Sequence, residues 1–465
     1  MRILFVYTNI NGFHKDVYAV GMASVLAFVK QKGHDAKVLI LHHPDDYPKL
    51  LQTIKEYEPG IVGFTSVSSQ FSFVRELSEM VKANYPTQMV VCGGIHPTIY
   101  PNCIADAPGL DAVFVGEAEH AFEDFIEFIE KGESWENCDN LAYVKNGMVV
   151  RNKLKPLVHD FESLPYPDKE TYPYGETIKE MTYAPLFFAR GCPFVCTYCS
   201  NHAIAKNYGG VQNITRYRSV ESSLREIQEV VDKFKDQVRY IYFGDDIFGL
   251  NKKWRKEFLE AYAERFRIPF FCLIRPDVLD DSFAQLLKKA GCRRILFGVE
   301  SGNDYIRNEV MRRNMNRERI IKSFETCRKH GIGTLAINII GTPTETEDMI
   351  WDTIKFNRIL KPEVTAVNIF YPYKGTELGD KCFTDNFVDL EKLENFSNER
   401  RESVLKFPSD HQKKLEYYYN NWERLVFPYS FSRRIFKPLK QTLYNKLHRT
   451  PIWSILRKLK RMIAR

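Results

Sequence analysis

Hydrophobic and polar positions over the first 130 residues follow two alternating patterns. Short apolar runs typical of buried strands end in small polar loops, and amphipathic stretches of helical period lie between them. The predicted strands are Arg2–Tyr7, Ala36–Leu41, Ile61–Ser66, Met89–Cys92 and Ala112–Val115. The predicted helices are Val20–Lys32, Tyr47–Tyr57 and Phe71–Ala83. This alternation predicts an α/β domain, a doubly wound parallel sheet whose ligands bind at the carboxyl ends of its strands.

A second run of alternation follows a segment over 149–181 that is rich in Pro, Tyr and acidic residues and shows neither period. Its predicted strands are Leu186–Ala189, Tyr240–Gly244, Phe270–Leu273, Ile295–Gly298, Leu335–Ile340 and Ala366–Phe370. Six strand–helix units in one run predict a partial or full βα barrel. We therefore expect a first domain over 1–135, a linker over 136–180, a barrel over 181–398 and a helical, basic region over 399–465.

Composition adds one feature, a basic segment at the end of the sequence. The 465 residues are 44% hydrophobic and 27% charged, as in soluble globular proteins, with a net charge of +7. Eleven of the 66 Lys and Arg residues lie in 431–465, which contains no Asp or Glu; the other 55 stand against 59 acidic residues. The basicity therefore indicates a local partner, and nucleic-acid binding by the whole chain is not expected.

This basic segment has the pattern of an amphipathic helix. Over Pro451–Ile463 the apolar residues fall on one face and most basic residues on the other, with a Trp near the start. Such helices are typical of membrane surfaces; a helix packed on the barrel is the alternative, and RNA binding by the tail is a third hypothesis. The sequence has no apolar stretch of transmembrane length, and its start does not resemble a signal peptide. We expect a cytoplasmic protein whose tail contacts the anionic inner face of the membrane if it binds lipid.

The strongest chemical signal is a compact group of cysteines. In FFARGCPFVCTYCSNH, Cys192, Cys196 and Cys199 follow a predicted strand with the spacing CxxxCxxC. Three thiolates within eight residues can each bind one iron of a cubic [4Fe–4S] cluster and leave the fourth iron without a protein ligand. Zinc bound with His202 as fourth ligand, a redox dithiol, and unrelated buried thiols are the alternatives.

This spacing, with Tyr198 before the last cysteine, resembles the signature of the radical S-adenosylmethionine (radical SAM) superfamily. The resemblance implies that S-adenosylmethionine chelates the open iron, and that an electron from the cluster cleaves it to a 5′-deoxyadenosyl radical. An electron donor such as flavodoxin or ferredoxin is then implied as a partner. The radical removes hydrogen from carbons that acid–base chemistry cannot activate, and the sequence shows no convincing acid–base pair.

Later motifs resemble those of the same family at the ends of successive strands. Gly244, Asp245 and Asp246 resemble the motif that binds the amino group of S-adenosylmethionine, with a helix N-cap or a magnesium site as alternatives. Arg275 is expected to meet the carboxylate of S-adenosylmethionine. Glu300 resembles the acidic residue that binds its ribose, with a structural salt bridge as the alternative. Asn338 and Gly341 belong to a segment that resembles the motif beside the adenine.

The first domain resembles the cobalamin-binding domain that precedes the barrel in one branch of the family. VVCGGIHPTIYPN and VFVGEAEHAFEDF carry this resemblance. Glycine lets the backbone approach a ligand closely, and hydroxyls in a nearby loop can face the nucleotide tail. The residues expected at the cobalamin site are Thr65, Ser66, Ser68, Gly93, Gly94 and His96. We expect His96 to act as a hydrogen-bonded turn residue and not as a metal ligand.

One departure concerns the lower ligand of cobalt. Other cobalamin enzymes carry Asp-x-His-x-x-Gly after the first strand, whereas this sequence reads NINGFHKD, and His14 does not fit. Many members of the radical branch also lack this motif. A degenerate α/β domain that serves packing or partner contact is the alternative.

The resemblance implies an enzyme, and the leading hypothesis is a cobalamin-dependent C-methyltransferase acting on a small-molecule or lipid-linked substrate. Cyclisation, ring rearrangement or epimerisation by the same radical is a second hypothesis. An RNA methylthiotransferase is a third, although Cys92, Cys103 and Cys138 are poorly placed for the extra cluster of such enzymes. A cobalamin sensor without catalysis would explain the first domain but not the three cysteines.

Overall fold

The computed structural model describes residues 1–10, 17–394 and 399–428. His14, part of the loop after the first strand and the predicted basic tail over 431–465 lie outside the described residues. No helix within the described ranges is both long enough and apolar enough to cross a membrane.

The first sheet has seven strands within the described ranges, in the order β2-β1-β3-β4-β5-β6-β7. Its parallel strands are β1 Arg2–Thr8, β2 Asp35–Leu41, β3 Ile61–Thr65, β4 Met89–Gly93 and β5 Ala112–Phe114. Two antiparallel strands extend it, β6 Leu141–Lys145 and β7 Met148–Arg151. The doubly wound sheet was predicted, but the hairpin was not. The expectation of no regular structure over 149–181 is wrong at both ends, because β7 covers its start and a helix forms over Tyr174–Met181.

Helices cover both faces of this sheet. They are α1 Val20–Gln31, α2 Tyr47–Tyr57, α3 Phe71–Asn84, α4 Ile95–Ile99 and α5 Glu119–Glu130. Alternate residues of β1 enter two different cores: Phe5 packs with residues of α1 and α5, and Val6 packs with residues of α2 and α3. This two-sided burial is why the parallel strands read as nearly continuous apolar runs.

The second sheet is parallel, with the order β8-β11-β12-β13-β14-β15 in the described part of the chain. Its strands are β8 Ala184–Leu186, β11 Ile241–Phe243, β12 Phe270–Ile274, β13 Cys292–Glu300, β14 Gly333–Ile340 and β15 Val364–Ile369. A small hairpin stands beside it, formed by β9 Ala189–Arg190 and β10 Arg216–Tyr217. Six parallel strands with helical crossovers confirm the predicted partial (β/α)6 barrel.

The remaining helices surround this second sheet. They are α6 Tyr174–Met181, α7 Ser200–Asn207, α8 Val220–Lys233, α9 Lys252–Arg265, α10 Asp281–Lys289, α11 Arg317–Lys329, α12 Glu347–Leu360, α13 Glu377–Thr384, α14 Leu390–Glu394 and α15 Ser409–Val426. Helix α15 buries Leu415, Tyr418 and Trp422 against residues of β14, β15 and α12. It therefore completes the outer layer beside the last two strands.

Candidate active site

The three clustered cysteines lie on one loop that follows β9 and ends at the start of α7. Cys196 is buried, whereas Cys192 and Cys199 are partly exposed. Thr197 anchors the loop: its N–H donates to the carbonyl of Met311 (3.2 Å), and its carbonyl accepts from the N–H of Leu378 (2.9 Å). Burial raises the pKa of Cys192 to about 12 and that of Cys199 to about 11. Iron must therefore displace the thiol protons when it binds.

His202, the fourth ligand in the zinc alternative, is turned toward the protein backbone. Its ring hydrogen-bonds to the backbone carbonyl of Cys196, and burial lowers its pKa. Among the described residues, no group of three or more His, Cys, Asp or Glu side chains could hold a single metal ion. Three thiols on one short loop are instead the donor set of a cluster whose irons each take one thiolate.

Two adjacent carboxylates at the end of β11 hold the segment that leads to Cys192. Asp245 Oδ1 accepts the N–H groups of Phe188 (2.6 Å) and Ala189 (2.9 Å), and Asp246 Oδ2 accepts the N–H of Gly191 (3.2 Å). These bonds separate β8 from β9, which were predicted as one strand. The N-cap alternative is wrong, because Asn251 caps the next helix, α9.

The second carboxylate oxygen of Asp245 is available to another hydrogen-bond donor. Its side chain is buried, and burial raises its pKa to about 7. Oδ2 of Asp245 has no hydrogen-bond partner among the residues that the structure describes. A buried acceptor without a partner is costly, and an ammonium group of a ligand is a donor that would satisfy it.

Glu300 lies at the end of β13 in a strained backbone conformation. Its φ is +63°, in the left-handed region that residues other than glycine seldom adopt, next to a register shift between β13 and β14. Burial raises the pKa of Glu300, while Arg313 and a hydrogen bond from Tyr198 oppose this rise. Oε2 of Glu300 has no partner within the described residues, so it too can accept from a ligand.

The six residues expected at the cobalamin site divide into two groups. Thr65, Gly93 and Gly94 line a cavity at the carboxyl ends of β3 and β4. Ser66, Ser68 and His96 are not part of its lining. Ser68 Oγ and His96 Nδ1 pair at 3.0 Å, the Ser66 hydroxyl donates to the carbonyl of Val67, and the backbone N–H of His96 donates to the carbonyl of Ser66 (3.0 Å). Burial lowers the pKa of His96 to about 4. His96 is hydrogen-bonded, as expected, but it lies in helix α4 and not in a turn.

The two glycines differ in what surrounds them. A Cβ added at Gly94 would lie 2.7 Å from the carbonyl oxygen of Ser66, and φ at Gly94 is +101°. A Cβ at Gly93 would meet only Phe114, at 3.8 Å, which is ordinary contact. Gly94 is therefore required by the fold itself, whereas Gly93 leaves open space beside the cavity.

The cavity joins the first sheet to the barrel. Its volume is about 500 Å³. Besides Thr65, Gly93 and Gly94, its lining includes Gly191, which precedes Cys192, and the segment Gly244–Asp246 at the end of β11. The carboxyl ends of both sheets thus open into one space.

Comparison with known proteins agrees with this arrangement. The family model of the B12 binding domain matches residues 8–126, and that of the radical SAM superfamily matches residues 186–356. The chain belongs to the radical SAM enzymes that carry a cobalamin-binding domain. Their cofactors are a [4Fe–4S] cluster, S-adenosylmethionine and cobalamin, as the sequence predicted.

Individual relatives include enzymes with different reactions. An uncharacterized methyltransferase of Pyrococcus horikoshii is 27% identical over 404 residues, covering 83% of this chain and 86% of that protein. The anaerobic magnesium-protoporphyrin IX monomethyl ester cyclase of Rubrivivax gelatinosus is 25% identical over 410 residues, 83% of this chain and 72% of that one. The radical SAM methyltransferase TsrM from Kitasatospora setae has a similar fold, with a TM-score of 0.67 at 18% identity, covering 83% of this chain and 76% of that chain.

Arg275 lies beside the cysteines in this radical SAM barrel. Its guanidinium is 3.8 Å from Cys196 Sγ and stacks on the ring of Phe194, 3.7 Å from the centroid. Asp277 holds it through two hydrogen bonds of 2.8 Å. The structure therefore brings this predicted residue to the cysteine loop, already paired with an acid.

Asn338 and Gly341 do not join the other predicted residues. The side chain of Asn338 hydrogen-bonds to Asn357 of α12, on the helix-facing side of β14. The N–H of Gly341 donates to Glu345 Oε2 (2.6 Å), and a Cβ at Gly341 would lie 3.3 Å from Leu415 of α15. Both residues thus shape the strand end, and their side-chain positions face away from the cysteine loop.

Sequence reasoning missed the arginines that organise this region. Arg313 lies between two predicted residues, with Nη1 2.9 Å from the Tyr198 hydroxyl and 3.5 Å from Glu300 Oε1. Arg190 joins the strand before Cys192 to Glu119 of the first domain. The available signal for Arg190 was a charged residue at the end of an apolar strand, directly before Gly191 and Cys192. The signal for Arg313 was weaker, because its run MRRNMNR has several basic residues.

Proposed function

We propose that this enzyme transfers a methyl group to an unactivated carbon of a small-molecule or lipid-linked substrate. One observation carries the proposal: a single cavity is lined both by the strand-end loops of the B12-binding domain and by the barrel residues next to Cys192. A substrate in this cavity would face both cofactor sites. Catalysis by positioning requires such an arrangement of reacting groups.

The proposed cluster ligands are Cys192, Cys196 and Cys199. Asp245, with its unpartnered Oδ2, would accept from the amino group of S-adenosylmethionine, and Glu300 would accept from the ribose hydroxyls. Gly244 and Asp246 would line the same subsite. Arg275 would meet the carboxylate of S-adenosylmethionine, and Tyr198 would keep Glu300 in position.

The proposed cobalamin contacts are Thr65, Gly93 and Gly94, because these residues line the cavity. Ser66, Ser68 and His96 would shape the loop that presents them. Asn338 and Gly341 would support the adenine side through the backbone of the strand end.

When bound, the cluster and S-adenosylmethionine supply a radical that removes hydrogen from the substrate, and cobalamin supplies the methyl group. The protein residues need only bind, orient and exclude water. The acidic side chains that line the cavity, Glu117, Glu119, Asp245 and Asp246, all accept hydrogen bonds from protein groups. These hydrogen bonds suit carboxylates that stabilise the structure around the cavity. The proposed reaction needs no general base.

The cavity lining also suggests which substrates would fit. Apolar side chains contribute most of it, among them Leu157, Phe161, Leu164, Phe187, Ile204 and Ile214. Apolar lining favours an apolar substrate, so we propose a hydrophobic small molecule or the apolar part of a lipid. We propose flavodoxin or ferredoxin as the electron donor.

A second candidate is a radical rearrangement or cyclisation without methyl transfer. The similarity to the magnesium-protoporphyrin cyclase favours it, because that match covers the same share of this chain, 83%, as the match to the methyltransferase relative. Both candidates use the same radical and differ in the fate of the substrate carbon.

The two can be separated with methyl-labelled S-adenosylmethionine. The anaerobically reconstituted enzyme is incubated with cobalamin, dithionite and the small-molecule and lipid fractions of cells that lack its gene. Methylation predicts equal amounts of 5′-deoxyadenosine and S-adenosylhomocysteine and one labelled product. Formation of 5′-deoxyadenosine with an altered but unlabelled product would instead establish the rearrangement.

A further inference from the structure

We propose that the loop Gly116–Glu119 of the first domain sets the separation between cobalamin and the iron–sulfur cluster. The segments before and after the cysteine loop are both bonded to these four residues, through Arg190 on one side and Tyr208 on the other. Arg190 and Tyr208 are thus positioning residues. This inference rests on the two cofactors and not on the reaction that follows, so it stands or falls independently of the proposed methylation.

The first connection comes from Arg190, two residues before Cys192. Its Nη2 donates to Glu119 Oε1 (2.6 Å) and to the Ser24 hydroxyl (3.0 Å), and its Nη1 donates to Glu117 Oε1 (3.2 Å). Burial would raise the pKa of Glu119, but Arg190 and Ser24 hold it below its usual value. One guanidinium therefore makes three bonds across the domain boundary, two of them to buried or half-buried carboxylates.

The neighbouring strand strengthens this connection. Arg216 pairs with Arg190 in the β9–β10 register, and its Nη1 donates to Glu117 Oε2 (2.9 Å). Both oxygens of Glu117 are thus held by the hairpin that carries the cysteine loop. Two arginines that each hold a different oxygen of one carboxylate fix its orientation as well as its distance.

The second connection comes from α7, the helix that begins directly after Cys199. At its end, the hydroxyl of Tyr208 accepts the N–H of Glu117 (3.0 Å), and the Asn207 amide donates to the carbonyl of Thr98 (2.7 Å). The Tyr208 hydroxyl occupies the space that a Cβ on Gly116 would need. An eight-residue helix is about 12 Å long, so α7 acts as a short rigid spacer between the cysteine loop and the first domain.

The bonded loop is also part of the cobalamin-facing edge. Gly116–Glu119 follows β5, and all four residues line the shared cavity. The N–H of Gly116 donates to the hydroxyl of Thr98 (3.0 Å). Thr98 lies four residues after Gly94. A displacement of this loop would therefore move the cobalamin edge relative to the cysteines.

The separation can be measured without a substrate, because cob(II)alamin and the reduced cluster are both paramagnetic. The full-length enzyme is reconstituted, loaded with cob(II)alamin and reduced with dithionite, and the spin–spin interaction is recorded by EPR. The wild type should show one well-defined interaction. Arg190→Lys, which keeps the charge but loses the fork of donors, and Tyr208→Phe should show a weaker or heterogeneous interaction at unchanged iron and cobalamin content.

Two matched variants serve as controls. Arg218→Lys makes the same change next to β10, where the guanidinium hydrogen-bonds to the carbonyls of Leu164 and Pro165 and lies over the ring of Tyr166, away from the four residues of the Gly116–Glu119 loop. Tyr217→Phe removes a hydroxyl that likewise accepts a backbone N–H, but from Asn251 within the barrel. An unchanged interaction in both test variants would overturn the proposal, as would equal changes in the controls. If Arg190→Lys loses iron, Tyr208→Phe, which removes a single oxygen atom, decides the matter.

Discussion

The two cofactor sites occupy the same kind of place, the carboxyl edge of a parallel sheet, but are built from different groups. In the barrel, Asp245 and Glu300 are buried carboxylates, each with one oxygen that has no partner in the described part of the chain. In the first domain, the Ser68 hydroxyl and the His96 ring bond to each other, and the cavity is lined instead by Thr65 and two glycines. In the sites proposed above, side-chain charge would serve the barrel ligand, whereas shape and backbone would serve cobalamin.

This difference suits the size of the ligands. An amino acid derivative offers a few strongly polar groups, which buried charges recognise well. A corrin is large, so contact over a broad surface dominates and close approach of the backbone matters more. The comparison predicts different kinds of failure when each site is altered.

The largest effect is expected for the cysteines. Single changes of Cys192, Cys196 or Cys199 to Ala should remove the cluster and all cleavage of S-adenosylmethionine, because each thiolate binds one iron. Iron analysis and 5′-deoxyadenosine formation after anaerobic reconstitution test this. Cys327→Ala, which alters a fully buried thiol of the core, should retain about four irons, the number in a single cubic cluster. Stoichiometric zinc without iron in the wild type would contradict the cluster.

Next comes a test of shape at the cobalamin site. Gly93→Leu should abolish cobalamin retention and leave the fold intact, since its Cβ has ordinary space and the longer side chain enters the cavity. Gly94→Leu should instead destabilise the domain, because its Cβ would collide with Ser66 at a φ of +101°. Hydroxocobalamin retention and thermal unfolding, measured on both variants, separate the two effects. Normal retention by folded Gly93→Leu would contradict the assignment.

These residues show how far the sequence could predict the site. CxxxCxxC and the strand-end acids are short local patterns, so their positions followed from spacing and from the order of the strands. Ser68 and His96 were also predicted at the cobalamin site, but their side chains hydrogen-bond to each other. This pairing depends on how the segments after β3 and β4 pack together. Tertiary partners of a polar side chain cannot be derived from its neighbours in sequence.

The prediction of the fold succeeded and failed for similar reasons. Both parallel sheets and the limits of most strands followed from apolar periodicity. The split between β8 and β9 did not, because Asp245, fifty-six or more residues away, takes the N–H groups of Phe188 and Ala189. The hairpin of β6 and β7 was missed although its sequence, LAYVKNGMVVR, carried a signal: Asn146 and Gly147, both with positive φ, join two short apolar runs in a tight turn.

A smaller effect is expected from the barrel carboxylates. Glu300→Gln should weaken binding of S-adenosylmethionine by roughly tenfold to a hundredfold, as expected for loss of a hydrogen bond to a charged group. The cluster should remain, and calorimetric or equilibrium-dialysis titration of the reconstituted enzyme measures the change. Glu226→Gln is the control, because Glu226 on α8 is also buried with an unpartnered oxygen in the described structure, but its other oxygen pairs with Lys169. Equal weakening by both variants would exclude a specific role for Glu300.

The last effect concerns the pH dependence of stability and neither cofactor site: it involves Glu345, a buried carboxylate that holds a turn and is assigned no ligand. Burial raises its pKa from 4.5 to about 7, although the N–H groups of Gly341 and Thr342 oppose this rise. The folded state therefore keeps a proton that the unfolded chain releases near pH 4.5, so the stabilisation is complete below pH 4.5 and is lost as pH rises through about 7. The total is about 3 kcal/mol for a shift of this size. Glu345→Gln cannot titrate, so its thermal midpoint should fall less between pH 5 and pH 8 than that of the wild type. If the thermal midpoints of the variant and the wild type instead fell in parallel with pH, the prediction would be contradicted: the hydrogen bonds from the turn would then keep Glu345 ionised over the whole range.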